Sequence, residues 1–253
     1  MKFRIKFAID LIIMSIFKLK QFDLKQADNL QKMGSDTMLL GASILGDYTT
    51  ILDVGTGTGI LALMMAQRHE KATVFGIEPH ILSFEEAKFN FNASQYAKRL
   101  SIESKKLQDF KSDVKFDLII SNPPYFENST LGNKFEKNSA RHTFNLPIEE
   151  FYQNNANLLD ENGKLYLIFP YDLLQTHLGF AKQNGLYPER IITVNKENKK
   201  PIRAIICYSF KEVVSIIESE IIITLINGKY SREYIALTKD FYAHDLSKQY
   251  QEK

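Results

Sequence analysis

The sequence of 253 residues contains one cysteine and no tryptophan. A single cysteine cannot form an intramolecular disulfide, and Cys207 lies in an apolar run that is typical of a buried strand. This cysteine usage predicts a cytoplasmic protein and argues against a secreted scaffold held by disulfides. The five histidines are scattered without the spacing of metal ligands, so we expect no metal site.

The sequence also has little net charge and no long apolar segment. Its 32 basic and 30 acidic side chains give a formal net charge of +2, which argues against indiscriminate coating of nucleic acid. An apolar run over 7–17 follows three basic residues, as in a signal peptide, but Asp10 interrupts it and it is too short to span a bilayer. We therefore expect no membrane role and interpret residues 1–13 as a loosely held or non-native extension.

Basic residues nevertheless gather in two places, in an N-terminal arm and just before a late apolar run. Such a distribution is typical of a positive surface that follows a phosphate backbone, and a solvated lysine-rich face is the alternative. The arm carries Lys2, Arg4, Lys6, Lys18, Lys20, Lys25 and Lys32, and the second cluster consists of Lys196, Lys199, Lys200 and Arg203.

Strand-like and helix-like segments alternate after an N-terminal arm over 1–47, which predicts an α/β domain over 48–253 with a doubly wound, mostly parallel sheet. The dipeptide Asn227-Gly228 between two apolar runs, 216–226 and 230–237, predicts a C-terminal hairpin. The predicted strands are 50–54, 73–78, 100–104, 116–121, 164–170, 186–194 and 202–210, and the predicted helices are about 59–69, 81–97, 148–159 and 171–184.

A glycine-rich turn follows the first predicted strand with the spacing D-x-G-x-G-x-G, from Asp53 through Gly55 and Gly57 to Gly59. Glycines there let the backbone turn tightly and approach a ligand. A dinucleotide-binding turn requires G-x-G-x-x-G, so NAD is disfavoured. An acid ahead of such a turn suits a ligand with a cationic amino-acid part, such as S-adenosylmethionine. Other nucleotides, or simple tight packing, remain alternatives.

Two further acids lie where the next predicted strands end. Glu78 comes roughly 20 residues after the glycines, where doubly wound folds place a carboxylate on ribose hydroxyls. Its alternative role is that of an acid at the N-terminus of the helix that follows. Asp109 is a candidate acceptor for a hydrogen bond from the exocyclic amine of an adenine. The alternative is that it is an ordinary surface acid.

The segment Asn122-Pro123-Pro124-Tyr125 follows the predicted strand 116–121, at an edge of the sheet where α/β proteins bind ligands. Two prolines stiffen the chain, so the side-chain oxygen of Asn122 and nearby carbonyl groups can accept hydrogen bonds from a planar NH2 group. Tyr125 offers a flat face for stacking. The alternative is a proline-rich turn that merely ends a strand.

The stretch over 126–146 has few periodic apolar residues and is predicted to be a long loop beside this segment. Loops of that length in compact domains are usually functional or disordered. Within it, Arg141 can contact a phosphate or clamp the loop over a substrate, and a solvent-exposed position is the alternative.

The chain resembles the class I S-adenosylmethionine-dependent methyltransferases. The resemblance rests on the glycine turn, Glu78 and Asn122-Pro123-Pro124-Tyr125. Within these methyltransferases the chain is most similar to the bacterial tRNA1(Val) (adenine-37-N6)-methyltransferase group. The similarity extends over about 14–243, and the stretches more specific to that group are 17–22, 32–36, 39–42, 230–234 and 237–242.

This resemblance implies a Rossmann-like sheet of seven strands with an antiparallel last strand, and S-adenosylmethionine over the three glycines. It also implies that Gly34 and Asp36 lie beside the cofactor, and that Asn122 contributes there as well. The sequence departs from the usual pattern at Thr37, where a glycine is common, and over 27–31.

The implied activity is transfer of a methyl group to N6 of an adenine in tRNA, giving N6-methyladenosine. Asn122 and the Pro123 carbonyl group would accept the two N–H bonds of the amine, and Tyr125 would stack on the extruded base. Alternatives are methylation of a glutamine amide in a peptide-release factor, of N2 of a guanine in ribosomal RNA, or a non-catalytic S-adenosylmethionine and RNA-binding protein. A monomer is the simplest expectation for the assembly.

Overall fold

The computed structural model describes residues 14–27, 33–123 and 146–250, with the backbone alone for Met14 and Ala27. Within these ranges no helix is long and apolar enough to cross a membrane. The strands are β1 Met14–Lys18, β2 Asp23–Ala27, β3 Thr50–Val54, β4 Thr73–Ile77, β5 Leu100–Glu103, β6 Phe116–Ser121, β7 Leu159–Pro170, β8 Tyr187–Asn195, β9 Arg203–Ser209 and β10 Ile217–Ile222. The α-helices are α1 Ser35–Ser43, α2 Ile60–Arg68, α3 Ile81–Ala93, α4 Ile148–Leu158, α5 Leu174–Gln183 and α6 Arg232–Thr238.

Eight strands form one mixed sheet in the order β10-β8-β9-β7-β6-β3-β4-β5. Strand β9 is antiparallel to both of its neighbours, and all other neighbouring pairs are parallel. The prediction of a doubly wound α/β sheet, with the strand over 202–210 antiparallel, is therefore confirmed. The predicted number of seven strands is one short, because β10 joins the edge beside β8.

Two hydrophobic cores lie on opposite faces of this sheet, one under α1, α2, α3 and α6 and the other under α4 and α5. The central strand β6 contributes side chains to both cores, since Leu118 and Ile120 point into the first core and Ile119 into the second. All three side chains are fully buried. Burial stabilises the fold by about 1.5–3 kcal/mol for each side chain of this size.

The predicted C-terminal hairpin is wrong in its second half. Gly228 does turn the chain with φ of 80°, and Thr224 and Tyr230 form an isolated antiparallel bridge. The run over 230–237, however, mostly forms α6. Ser231 caps this helix by accepting a 2.9 Å hydrogen bond from the Tyr234 N–H, and the buried side chains recur at helical spacing.

The N-terminal arm contains an antiparallel pair, β1 and β2, that the sequence did not predict. The pair is attached to the C-terminal region, where the Lys20 N–H donates to the Phe241 carbonyl at 2.8 Å. Helix α1 is fastened at its C-terminal end by the Arg68 guanidinium, which donates to the carbonyl groups of Gly41, Ala42 and Ile44. These contacts hold the arm against the main sheet.

Candidate active site

The glycine-rich turn leaves β3 at the carboxyl edge of the sheet. Gly55, Gly57 and Gly59 have φ of 70°, 56° and 86°, in the left-handed region that favours glycine. The N–H groups of Gly55 and Thr56 both donate to the Ile77 carbonyl, at 2.9 and 3.1 Å. The turn is therefore fastened to the end of β4.

The last two glycines differ in their surroundings. A Cβ built on Gly57 would meet no atom within 4 Å, so open space lies beside the turn there. A Cβ on Gly59 would lie 2.6 Å from Cε1 of Phe91, because this turn packs on α3. Gly57 thus leaves room beside the turn, and Gly59 allows the close packing behind it.

Asp53 is fully buried and organises the turn from inside. Its Oδ2 accepts hydrogen bonds from the Thr56 hydroxyl at 2.6 Å and the Ala62 N–H at 3.0 Å. Its Oδ1 is buried and has no hydrogen-bond partner within the described residues. Burial raises the pKa of Asp53 to about 7, the two hydrogen bonds oppose that rise, and the charge of Glu78 adds to it.

Glu78 lies at the end of β4 and is also buried. Its Oε2 accepts a 3.0 Å hydrogen bond from the Gly57 N–H, and its Oε1 accepts a 2.9 Å bond from the His80 N–H. Burial raises the pKa of Glu78, and these two backbone bonds lower it. The structure thus joins Glu78 both to the glycine turn and to the start of α3. Its predicted role at ribose stays a prediction.

These residues fit S-adenosylmethionine. The space beside Gly57 admits a ligand against the backbone. Oδ1 of Asp53, at the start of the same turn, is buried without a hydrogen-bond partner within the described residues, which suits a cationic ligand. Glu78 lies at the neighbouring strand end, as predicted for a group that binds ribose. Across the part of the chain that the structure describes, no three His, Cys, Asp or Glu side chains form a group that could hold a metal ion.

Asn122 and Pro123 follow β6, the strand next to β3. The two strand ends are joined directly, because the Ser121 hydroxyl donates to the Val54 carbonyl at 2.7 Å. The Asn122 side-chain nitrogen donates to Oγ1 of Thr37 at 2.9 Å, and Pro123 is buried. The structure therefore brings the predicted amine site and the glycine turn together.

The rest of that segment lies outside the described residues. This applies to Pro124, Tyr125 and Arg141, and to the predicted loop except its last residue, Leu146. Leu146 is buried in the core under α4. The predicted roles of Tyr125 and Arg141 stay predictions.

The first turn of α1 lies at the same edge of the sheet. Gly34 is its exposed N-cap residue, and Asp36 Oδ2 accepts a 2.7 Å hydrogen bond from Nε of Arg203, which begins β9. Arg203 was predicted as a phosphate contact and Asp36 as a cofactor contact. The structure pairs them with each other, and the two roles stay predictions. No sequence signal joins two residues that are 167 positions apart.

Asp109 is exposed and ends a short 3-10 turn, Leu107–Asp109, after β5. It lies at the carboxyl side of the sheet, as predicted.

Sequence reasoning missed Asn90, which is buried on α3. Its side-chain nitrogen donates to the carbonyl groups of Lys25 and Thr58 at 2.9 Å each, and its oxygen accepts the Lys25 N–H at 2.9 Å. One amide thus ties β2 of the N-terminal arm to the glycine turn. An asparagine among the residues of a predicted helix was the signal that could have drawn attention to it.

The second basic cluster follows β8, whose carboxyl end lies at the same edge as those of β6 and β7. Lys196, Lys199 and Lys200 are exposed there. Lys18 and Lys20 of the arm are exposed as well, whereas Lys2, Arg4, Lys6 and Lys32 lie outside the described residues.

Comparison with known proteins identifies the family. Residues 31–181 match the family model described as "Methyltransferase small domain". A protein of Flavobacterium johnsoniae named tRNA1(Val) (adenine(37)-N6)-methyltransferase is 36% identical over 232 residues, which cover 90% of this chain and 99% of that protein. A Bacteroides fragilis protein of the same name is 35% identical over 235 residues, 89% of this chain and 97% of its own length.

Solved structures support the same fold. A protein of Agrobacterium tumefaciens described as a predicted O-methyltransferase superposes with a TM-score of 0.62 at 17% identity, covering 83% of this chain and 98% of its own. TYW2 of Pyrococcus horikoshii, solved in complex with MeSAdo, superposes with a TM-score of 0.56 at 14% identity, covering 77% and 70% of the two chains. The chain has the fold of these methyltransferases, and by its sequence it belongs to the family of tRNA1(Val) (adenine(37)-N6)-methyltransferases.

Proposed function

We propose that this chain transfers a methyl group from S-adenosylmethionine to N6 of an adenine in tRNA, and that the target is adenosine 37 of tRNA1(Val). The observation that carries the proposal is the juxtaposition of two site halves on neighbouring strands. The glycine turn follows β3, Asn122 follows β6, and the Ser121 hydroxyl bonded to the Val54 carbonyl at 2.7 Å holds the two strand ends together. The names of the relatives supply the substrate.

The cofactor would lie along the carboxyl ends of β3, β4 and β5. S-adenosylmethionine supplies an electrophilic methyl carbon, and the C–S electron pair stays on sulfur when that methyl group leaves. The open side of Gly57 and the buried carboxylates of Asp53 and Glu78 favour this position. The full set of proposed cofactor contacts is Gly34, Asp36, Asp53, Gly55, Gly57, Gly59, Glu78, Asp109 and Asn122.

The N-terminal arm over 1–47 would complete this site by packing against it. The support lies in two contacts, from Asn90 to Lys25 and Thr58, and from Asn122 to Thr37. The first joins the arm to the glycine turn, and the second joins it to the proposed amine site.

The adenine amine would donate its two N–H bonds to Oδ1 of Asn122 and to the Pro123 carbonyl group. Accepting both bonds favours the pyramidal nitrogen whose lone pair attacks the methyl carbon. As the new N–C bond forms, one N6 proton is released to water past these acceptors. Tyr125 would hold the extruded base by stacking, which is worth about 1–3 kcal/mol per base.

The tRNA would lie across the basic residues at this edge. Lys196, Lys199 and Lys200 are exposed beside the site, and Lys18 and Lys20 extend the positive surface on the arm. Arg203 is a further candidate contact, because its Nε is bonded to Asp36 and a guanidinium has other N–H donors for phosphate. We infer a cytoplasmic protein, because the proposed substrate is a cytoplasmic RNA and Cys207 is a buried, free thiol. A monomer is the simplest assembly for it.

The decisive experiment supplies the purified protein with methyl-labelled S-adenosylmethionine and tRNA from a strain that lacks the enzyme. Mass spectrometry of nucleosides should find labelled N6-methyladenosine, and sequencing should place it at position 37 of tRNA1(Val). Asn122→Ala should abolish transfer while calorimetry still detects the cofactor. Label on guanine or on nothing at all would overturn the proposal, as would methylation of a purified release factor, and not of the tRNA, in a parallel reaction. Turnover by Asn122→Ala at the parent rate would remove the role given to that residue.

A further inference from the structure

We propose that Thr37 is a positioning residue, whose hydroxyl holds the Asn122 carboxamide in place for the amine to be methylated. The inference rests on the proposed function and goes beyond it, because it assigns a role to a residue of the N-terminal arm that does not touch the substrate. It depends on one contact, the 2.9 Å hydrogen bond from Nδ2 of Asn122 to Oγ1 of Thr37.

A carboxamide has one donor end and one acceptor end of nearly the same shape. If the side chain turned by 180° about its last torsion, Nδ2 would take the place of Oδ1. An N–H group would then face the N–H bonds of the incoming amine, and no hydrogen bond could form. In the structure Nδ2 is bonded to Thr37, and within the described residues no hydrogen bond occupies Oδ1, which is the orientation that the amine needs. Because a hydroxyl can also donate, Thr37 holds the carboxamide in place, and the incoming amine selects the end that faces it.

Thr37 can position the Asn122 side chain because its own position is fixed by its neighbours. Its side chain is only 8% exposed, and the next residue, Met38, is fully buried in the core under α1. The preceding residue, Asp36, is bonded to Nε of Arg203 at 2.7 Å. The first turn of α1 is thus anchored on both sides of Thr37, and a rigid acceptor orients its partner better than a mobile one.

The same contacts connect the proposed tRNA surface to the amine site. Arg203 follows the loop that carries Lys196, Lys199 and Lys200, and it is bonded to the residue next to Thr37. Three links therefore connect that loop to Asn122: the ion pair of Arg203 with Asp36, the peptide unit between Asp36 and Thr37, and the hydrogen bond between Thr37 and Asn122.

The test compares Thr37→Val with Thr37→Ser. Valine keeps the branched shape of threonine and removes the acceptor, whereas serine keeps the hydroxyl and removes a methyl group. Losing one neutral hydrogen bond of ordinary strength corresponds to a fall in kcat of roughly fivefold to tenfold. We expect that fall for Thr37→Val, with the KM for tRNA and the affinity for S-adenosylmethionine within about twofold of the parent, and a kcat close to the parent for Thr37→Ser.

Thr238→Val is the matched control, because Thr238 is another buried helical threonine with a defined hydrogen bond. Its hydroxyl donates to the Tyr234 carbonyl at 2.7 Å. Its kcat should equal that of the parent. An unchanged kcat in Thr37→Val, or equal losses in Thr37→Val and Thr37→Ser that follow their melting temperatures, would overturn the inference. Failure of the proposed function is distinguishable, since the parent protein itself would then methylate no tRNA.

Discussion

Asp53→Asn should change how the stability of this protein depends on pH. The carboxyl group is fully buried, and its pKa is raised from 3.8 to about 7 by burial. In the unfolded chain the same group ionises near pH 4. Between these values the folded protein holds a proton that the unfolded chain has lost, so this group contributes stability that is complete below about pH 4 and is lost as the pH rises through about 7.

The size of the effect follows from the shift. A change of about three pKa units corresponds to roughly 4 kcal/mol between the two ends of the window. Asparagine resembles the protonated acid and does not titrate, so it removes this dependence. We expect the difference in unfolding free energy between the parent and Asp53→Asn to move by several kcal/mol in favour of asparagine between pH 4 and pH 8.

The assay is urea denaturation of both proteins at each pH, with the free energy extrapolated to water. Asp113→Asn, at an exposed position, is the control for the loss of one negative charge. Curves for the parent and Asp53→Asn that run parallel from pH 4 to pH 8 would refute the argument, because they would show that burial leaves the titration of Asp53 unchanged.

Two further experiments test other parts of the structure. Gly59→Ala should unfold at a lower temperature than Gly57→Ala, because both residues have positive φ but only the first places a Cβ 2.6 Å from Phe91; equal melting temperatures would contradict this. His177 is buried against Phe169, and burial lowers its pKa from 6.5 to about 3. Its folded pKa lies below the unfolded value, so the parent should lose up to about 1.4 kcal/mol per pH unit from this group as the pH falls below about 6.5. Denaturation at pH 7 and pH 5 should show a smaller loss in His177→Gln, and an identical loss would refute the assignment.

Local patterns predicted the strands that carry the site. The predicted strands 50–54 and 116–121 coincide with β3 and β6. A strand that is buried on both faces is a nearly continuous apolar run, and a glycine turn or a proline pair marks its end. The glycine turn was also predictable, since each of its positive φ angles needs the residue that the sequence shows there.

Local patterns failed where packing decided the structure. The aromatic and β-branched residues over 230–237 favour a strand, yet the segment mostly forms α6, because a helix packs against α1 and buries Tyr234. Strand β10 was predicted as half of a hairpin, but it pairs with β8 in parallel instead. Propensity is a weak signal for short segments, and tertiary contacts override it.

The sequence by itself therefore determined the fold class, the glycine turn and the amide at the end of β6, because each depends on residues close together in the chain. Only the tertiary structure brought Thr37 to Asn122, across 85 positions, and Asp36 to Arg203, across 167. Such pairs leave no periodicity or spacing in the sequence. The packing of helix α1 on the sheet brings the two members of each pair together, and that packing exists only in the folded chain.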